Sequence, residues 1–142
     1  MKKVCIINGP NLNLLGKREK EIYGDKSFEE VFNQLQEFAK SKIMDLSYFQ
    51  SNHEVEIINK IHECMGDMDY IVINPGAFTH YSYSIFDAIL AVKVPTIEVH
   101  ISNIFSREEW RKKSVISPAC IGIIGGLGLD VYRLALLHIS EK

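Results

Sequence analysis

The sequence predicts an α/β protein built on a doubly wound sheet of five parallel strands in the order 2-1-3-4-5. Five short apolar runs alternate with helical patterns along the 142 residues, as they do where helices connect parallel strands. The runs lack polar–apolar alternation, which is typical of strands buried on both faces. Right-handed crossovers then favour this strand order. The length suits one ordinary domain, so we expect residues 1–142 to form a single domain.

The strands are predicted from apolar runs rich in β-branched and aromatic residues that are closed by turn residues. They are residues 4–7, 46–50, 70–73, 95–100 and 121–124. The first run ends at Asn8-Gly9-Pro10 and the third ends at Asn74-Pro75-Gly76. Both tripeptides are turn signals, so each of these strands is expected to stop there.

The helices are predicted from capping boxes and apolar stripes. Ser27 and Glu30 have the capping-box spacing, before a stripe that continues to Ala39. The other predicted helices start at Ser51 and Ser106, by the same spacing to Glu54 and Glu109, or cover about 82–92 and 129–139 by their stripes. The polar stretch 17–26 has no periodicity and is predicted to be an exposed loop.

Polar residues cluster at the ends of the predicted strands. In doubly wound sheets of this order, as in flavodoxin, ligands bind beyond the carboxyl ends of the strands at the switch point between strands one and three. Residues 8–11, 74–80 and 98–103 cover or follow the ends of the first, third and fourth strands, which are neighbours in the predicted order. We therefore expect these three segments to converge on one crevice, which is the candidate site.

Glu98 and His100 stand two residues apart on the predicted fourth strand, so their side chains point to the same face. A carboxylate buried in a strand needs a partner, because burying it unpaired is costly. A bond to His100 would satisfy Glu98, fix the imidazole tautomer and favour the protonated imidazole. The pair is either a structural ion pair or an acid–base pair, and its place at the switch point favours the second interpretation.

The stretch 17–26 contains Arg18 and Tyr23. A cationic Arg18 beside Tyr23 would favour the phenolate, which is a plausible base on a closing lid. The alternative is that both are solvated loop residues. Asn11 and Asn74 likewise have an alternative role as turn formers.

Composition excludes several classes of protein. The net charge of −2 gives no basic surface for nucleic acid or for an anionic membrane. No apolar run approaches the roughly 18 residues that a membrane span needs, and the N-terminus lacks a signal-peptide pattern, so we expect a cytoplasmic protein. The three cysteines form no CxxC pair, which argues against a zinc site or a disulfide framework.

Several short segments carry a family resemblance when they are taken together in register. They are NGPNL (8–12) with Gly16, RE (18–19), YG (23–24), QSNHE (50–54), NPGA (74–77) with TH (79–80), DA (87–88), EVHISN (98–103), RE (107–108) with Arg111, and GLG (126–128) with Tyr132. In this order they closely resemble the type II 3-dehydroquinate dehydratase family, from near Val4 to near Leu136. The sequence departs from the family at Trp110, where phenylalanine is usual, and at Lys20, where proline is frequent.

The resemblance implies a single catalytic domain that removes water from 3-dehydroquinate through an enolate, in the shikimate pathway, with no cofactor and no metal. It implies that Tyr23 is the base, and that Arg18 keeps its phenol ionised. It implies that Asn11 holds the water that stabilises the enolate. It also implies that His100, oriented by Glu98, is the general acid.

The resemblance further implies a set of substrate-binding residues and an assembly. The binding residues are Asn74, Ile101 and Ser102 for the substrate carboxylate, His80 and Arg111 for ring hydroxyls, and Asp87 from a neighbouring subunit. The assembly is a homo-oligomer, a dodecamer built of trimers.

Two other functions remain open from the residues alone. His80, His100 and Glu98 have the composition of a two-histidine, one-carboxylate metal site, and a metal-dependent hydrolase or lyase using them would lose activity to a chelator. A non-enzymatic flavodoxin-like module is the other alternative. A phospho-receiver needs an aspartate where this chain has Asn74, and a flavin binder needs a hydroxyl-rich loop where it has Asn8 to Asn11.

Overall fold

Five parallel strands form the centre of the molecule. A computed structural model describes residues 1–17 and 19–142. The strands are Lys2–Asn8 (β1), Met44–Gln50 (β2), Tyr70–Asn74 (β3), Thr96–His100 (β4) and Gly122–Gly125 (β5). They pair in parallel in the order β2-β1-β3-β4-β5, which confirms the predicted doubly wound, flavodoxin-like sheet.

Helices cover both faces of this sheet. They are Lys20–Tyr23 (α1), Phe28–Ser41 (α2), Glu54–Cys64 (α3), Tyr83–Val92 (α4) and Asp130–Ser140 (α5). The apolar stripes of α2 and α5 pack against one face, in a cluster that includes Ile97 and Val99 of β4. Those of α3 and α4 pack against the other face. Because side chains alternate along a strand, Glu98 and His100 of β4 point to the face covered by α3 and α4.

The Ser27 cap of the capping box predicted before α2 is present. The Ser27 hydroxyl accepts the backbone N–H of Glu30 at 3.3 Å, and α2 starts at the next residue, Phe28. This bond satisfies one of the N–H groups that the first turn of a helix leaves unpaired.

The two other predicted capping boxes are wrong. The Ser51 hydroxyl accepts the N–H of His53 and donates to Glu56, and α3 begins only at Glu54. The Ser106 hydroxyl donates to the carbonyl of Asn103 at the end of a short 3₁₀ turn, so it starts no helix. In both places the serine hydroxyl bonds another group instead of the predicted helix N–H, which is how serine side chains compete with regular structure.

The stretch 17–26, predicted to be wholly loop, contains the one-turn helix α1. Its backbone N–H groups at Tyr23 and Gly24 donate to the carbonyls of Glu19 and Lys20. A single turn is too short to show helical periodicity, which explains why the pattern missed it. In the part of the chain that the structure describes, no helix is both long and apolar enough to cross a membrane.

Candidate active site

A polar cleft lies beyond the carboxyl ends of β1, β3 and β4, where the sequence placed the candidate site. Its cavity has a volume of about 90 Å³. It is lined by Pro10, Asn11, Leu12, Tyr23, Asn74, Gly76, Ala77, His80, His100, Ile101, Ser102, Ile104, Arg107 and Arg111. The residues come from three strand ends, the α1 segment and the loop after β4, so the sheet topology creates the cleft.

Two glycines let the loops after β1 and β3 touch each other. A Cβ atom at Gly9 would lie 2.3 Å from the carbonyl oxygen of Pro75, so no other residue fits there without a backbone shift. Gly76 has a φ of 62°, a conformation that side chains disfavour, and its α-carbon faces the backbone of Pro10. This close approach brings Asn11 and Asn74 to the same wall of the cleft.

Glu98 and His100 form the buried pair that their spacing predicted. Glu98 is fully buried and His100 is 5% exposed, and Nε2 of His100 is hydrogen-bonded to Oε2 of Glu98. The carboxylate also accepts the hydroxyl of Ser114 at 2.9 Å and that of Ser117 at 2.6 Å. Burial raises the pKa of Glu98, but the hydrogen bond and the charge of His100, followed by the hydrogen bonds of Ser117 and Ser114, outweigh burial and leave that pKa below its usual value.

Tyr23 reaches the cleft from α1 and contacts an arginine that the sequence analysis gave no role. Nη1 of Arg107 donates to the Tyr23 hydroxyl oxygen at 2.8 Å and to the Ser102 hydroxyl at 3.2 Å. The guanidinium lies against the tyrosine ring, 5.6 Å from its centre. The positive charge of Arg107 therefore lies directly at the phenol oxygen of Tyr23. In the sequence, the signal that could have pointed to Arg107 is the Arg107-Glu108 dipeptide, which is among the segments that resemble the family.

Asn74 is held by a buried network that sequence reasoning also missed. Its side-chain Nδ2 donates to the hydroxyl of Tyr132 on α5 at 3.0 Å, and that hydroxyl donates to Oδ1 of Asn8 at 2.8 Å. Oδ1 of Asn74 accepts the N–H of Gly76, as expected of a turn former. Burial raises the pKa of Tyr132, which therefore stays a neutral donor and acceptor. The amide of Asn74 is thus fixed in orientation.

His80 and Arg111 line the cleft, and both contact Trp110. The ring Nδ1 of His80 is 2.8 Å from the carbonyl oxygen of Lys113, and its ring meets Trp110 edge to face at 5.4 Å. The Arg111 guanidinium stacks 4.0 Å above the Trp110 ring and bonds Glu108. Burial lowers the pKa of His80, so its imidazole is favoured in the neutral form. Trp110 therefore contacts both His80 and Arg111, the two residues that the resemblance assigns to binding the ring hydroxyls of the substrate.

Most of the predicted site residues come together in the cleft. Those that line it are Asn11, Tyr23, Asn74, His80, His100, Ile101, Ser102 and Arg111. Glu98 lies directly behind His100. Asp87 is exposed on α4 and does not line the cleft of its own chain. The role predicted for Arg18 lies outside the described residues.

The three residues of the alternative metal site, His80, His100 and Glu98, are not arranged to share a metal ion. Glu98 is bonded to His100 itself, and His80 faces the Lys113 carbonyl through Nδ1. Among residues 1–17 and 19–142, no group of three or more His, Cys, Asp or Glu side chains is arranged to hold a metal ion. The contacts of Glu98 indicate that it orients the imidazole.

Volume alone does not identify the site. A depression of about 360 Å³ lies between α2 and α5, and there the Arg133 guanidinium is bonded to the Asp130 carboxylate at 2.7 and 2.9 Å. Both groups are largely exposed, so solvent screens them. The smaller cleft holds the buried acid–base pair and the converging polar groups, which are the features of a catalytic site.

These observations define a flavodoxin-like α/β enzyme with a buried Glu98–His100 pair at the switch point of its sheet. Residues 2–140 match the family model described as Dehydroquinase class II. The chain is 58% identical over 142 residues to the 3-dehydroquinate dehydratase of Caldicellulosiruptor bescii, covering 99% of this chain and 98% of that protein.

Solved structures agree with this match. The type II dehydroquinase of Butyrivibrio crossotus superposes with a TM-score of 0.95 at 50% identity, over 99% of this chain and 98% of that one. The type II dehydroquinase of Propionibacterium acnes superposes with a TM-score of 0.97 at 40% identity, over 100% of this chain and 98% of that one. The chain belongs to the class II dehydroquinase family.

Proposed function

We propose that this protein dehydrates 3-dehydroquinate to 3-dehydroshikimate through an enolate, as a step of aromatic biosynthesis by the shikimate pathway in the cytoplasm. Family membership supports the substrate and the reaction. The observation that carries the mechanism is the meeting of Tyr23, His100 and Asn74 in one small cleft at the switch point. In the reaction, a proton leaves the carbon beside the ketone, the enolate forms, and the neighbouring hydroxyl departs as water.

Tyr23 takes that proton. The Arg107 hydrogen bond to its oxygen supports this role, because a fixed cation stabilises the phenolate that must accept the proton. Arg18, which the family resemblance implies keeps the Tyr23 phenol ionised, supplies a second positive charge. Asn11 holds the water that donates to the enolate oxygen, and this stabilises negative charge only where it develops.

His100 donates a proton to the departing hydroxyl. Since its Nε2 is engaged by Glu98, Nδ1 is the ring nitrogen left to serve the substrate. Glu98 fixes the ring and stabilises the imidazolium that must carry the proton. Because the base lies on α1 and the acid at the end of β4, the abstracted proton and the leaving hydroxyl are served by separate groups.

The remaining polar groups hold the substrate. Asn74 and Ser102 bind its carboxylate, together with the backbone N–H groups of Ile101 and Ser102. His80 and Arg111 bind ring hydroxyls, and the ordering of both residues by Trp110 supports this. The elimination uses protein groups alone, without a metal or an organic cofactor.

The direct test is the absorbance of the conjugated product when purified protein is mixed with 3-dehydroquinate. We expect product at the same rate with and without a strong chelator. The absence of product would contradict the proposed reaction, whereas activity that is lost to the chelator and restored by a divalent metal would establish the metal-dependent alternative.

We also propose that residues 1–142 form one catalytic domain that assembles into trimers and then into a dodecamer, with Asp87 of each subunit reaching a neighbour's cleft. Exposed apolar side chains on α4 and along the edge strand β5 support assembly, since a monomer rarely leaves so many uncovered. They include Tyr83, Leu90, Ile121 and Ile123. Light scattering measures the mass, and a monomer with full activity would contradict the proposed role of Asp87.

A further inference from the structure

Two serines outside the cleft hold the carboxylate that orients His100. Oε2 of Glu98 accepts the Ser114 hydroxyl, and Oε1 accepts the Ser117 hydroxyl. Both serines belong to the segment between the 3₁₀ turn Glu109–Arg111 and β5. Neither lines the cleft.

The bonding of these hydroxyls commits each of their protons to Glu98. A serine hydroxyl has one proton to donate and two lone pairs to accept with. The Ser114 oxygen accepts the N–H groups of Ile116 and Ser117, at 3.2 and 3.1 Å, so its own proton remains for Glu98. The same turn places Ser117, whose hydroxyl proton goes to the other carboxylate oxygen. The segment therefore presents two hydroxyl donors to Glu98, and at Ser114 both lone pairs are already occupied, so that this hydroxyl can only donate to the carboxylate.

Donors of this kind select one protonation state of the Glu98–His100 pair. One proton shared by the pair resides either on Glu98, giving a neutral pair, or on His100, giving a carboxylate and an imidazolium. Burial favours the neutral pair, because charged forms are costly away from water. Hydroxyls that donate to both oxygens favour the carboxylate. In both states Nδ1 carries a proton, because Nε2 faces Glu98. An imidazolium is a far stronger acid than a neutral imidazole, so the charged pair is the state that readily delivers the Nδ1 proton to the departing hydroxyl.

We propose that Ser114 and Ser117 are positioning residues that keep Glu98 ionised and thereby keep His100 protonated and ready to donate to the substrate. This inference rests on the proposed function, because it assigns these serines to the acid of the same reaction. They act through Glu98 and touch no reacting atom.

The other titratable groups near the pair do not produce this effect. His80 faces it from the segment after β3 and is favoured neutral by burial, with a smaller contribution from the charges of His100 and Arg111. The thiol of Cys120 also lies near Glu98; its pKa is raised to about 12 by burial first and by the Glu98 charge second. Both groups are therefore neutral around neutral pH, and the two serines are the neutral donors that favour the carboxylate.

The test is the pH dependence of kcat and KM for Ser114→Ala, Ser117→Ala and the double variant. A hydrogen bond to a charged group is strong enough that each loss should move the acidic limb of kcat upward by about one pH unit. We expect kcat at its optimum to fall by roughly tenfold for each serine, with KM changed less than about twofold. Ser117→Thr, which keeps the hydroxyl, should restore the wild-type profile.

Ser140→Ala is the matched control, because that half-buried hydroxyl donates to the Leu137 carbonyl at the end of α5. Its profile should be that of the wild type. Profiles of both single variants that superpose on the wild type would overturn the proposal. A uniform loss of kcat at every pH that Ser117→Thr does not restore would also overturn it, because it would reveal a merely structural role. An inactive wild-type protein would instead refute the proposed reaction, so the two failures are distinguishable.

Discussion

Replacing Tyr132 with phenylalanine removes one oxygen atom from the centre of the network that fixes Asn74. Tyr132 is completely buried, and its hydroxyl both accepts from Asn74 and donates to Asn8, which are themselves almost completely buried. Phenylalanine fills the same ring space but leaves a buried donor and a buried acceptor unpaired. Each unpaired group costs about 1–3 kcal/mol, so for the two groups we expect the free energy of unfolding to fall by about 2–6 kcal/mol.

The same change should weaken substrate binding more than it slows chemistry. Without the Tyr132 hydroxyl, the side-chain NH₂ of Asn74 loses the acceptor that fixes its orientation. Binding of the substrate carboxylate must then also order this amide, which weakens binding. Losing one such bond corresponds to roughly a tenfold rise in KM. Urea denaturation and steady-state kinetics measure the two effects. Tyr70→Phe is the control, because it also removes one tyrosine hydroxyl but at the start of β3, at the opposite end of the strand from Asn74. Unchanged unfolding and an unchanged KM in Tyr132→Phe would refute the argument.

Three further predictions concern groups around the cleft. Arg107→Ala should lower kcat by roughly a hundredfold, because it removes the charge and the hydrogen bonds to Tyr23 and Ser102. Arg107→Lys should lower kcat by less, since lysine keeps the charge but lacks the planar group that lies against the Tyr23 ring; equal activity of Arg107→Ala and wild type would contradict this. The pKa of Glu98 is lowered in the folded protein from its usual 4.5, so the stability it contributes is present above 4.5 and is lost as the pH falls through the folded-state value. Urea denaturation between neutral and acidic pH should therefore show a shallower acid loss in Glu98→Gln than in wild type, and parallel curves would count against the assignment. Trp110→Phe should raise KM less than about threefold, since phenylalanine still presents a ring face to Arg111; a larger rise would show that the indole itself is needed.

The sequence predicts those features that depend on local rules or on the fold as a whole. The Ser27 cap depends on residues three apart, and the Glu98–His100 pair depends on strand alternation; both are present. The crevice follows from topology, because parallel strands end at one edge of the sheet. The predictions that Ser51 and Ser106 cap helices are wrong, because a serine with the same spacing can hydrogen-bond other nearby groups instead of the helix N–H.

Contacts between distant positions are not predictable from spacing. Tyr132 and Asn8 are separated by 124 positions in the chain, and Arg107 and Tyr23 by 84. Neither pair shares a periodic pattern, and only packing brings them together. Ser114 and Ser117 are similar, because a serine in a polar segment gives no indication that its hydroxyl donates to a buried carboxylate 16 or 19 residues earlier.

The central claim is that Tyr23 removes the proton and His100 expels the hydroxyl, in two separable roles. Solvent deuterium incorporation into recovered 3-dehydroquinate, followed by mass spectrometry beside product absorbance, measures both steps in one reaction. We predict that His100→Ala still exchanges the proton but forms little product, and that Tyr23→Phe does neither. Exchange at the wild-type rate in Tyr23→Phe would contradict the account.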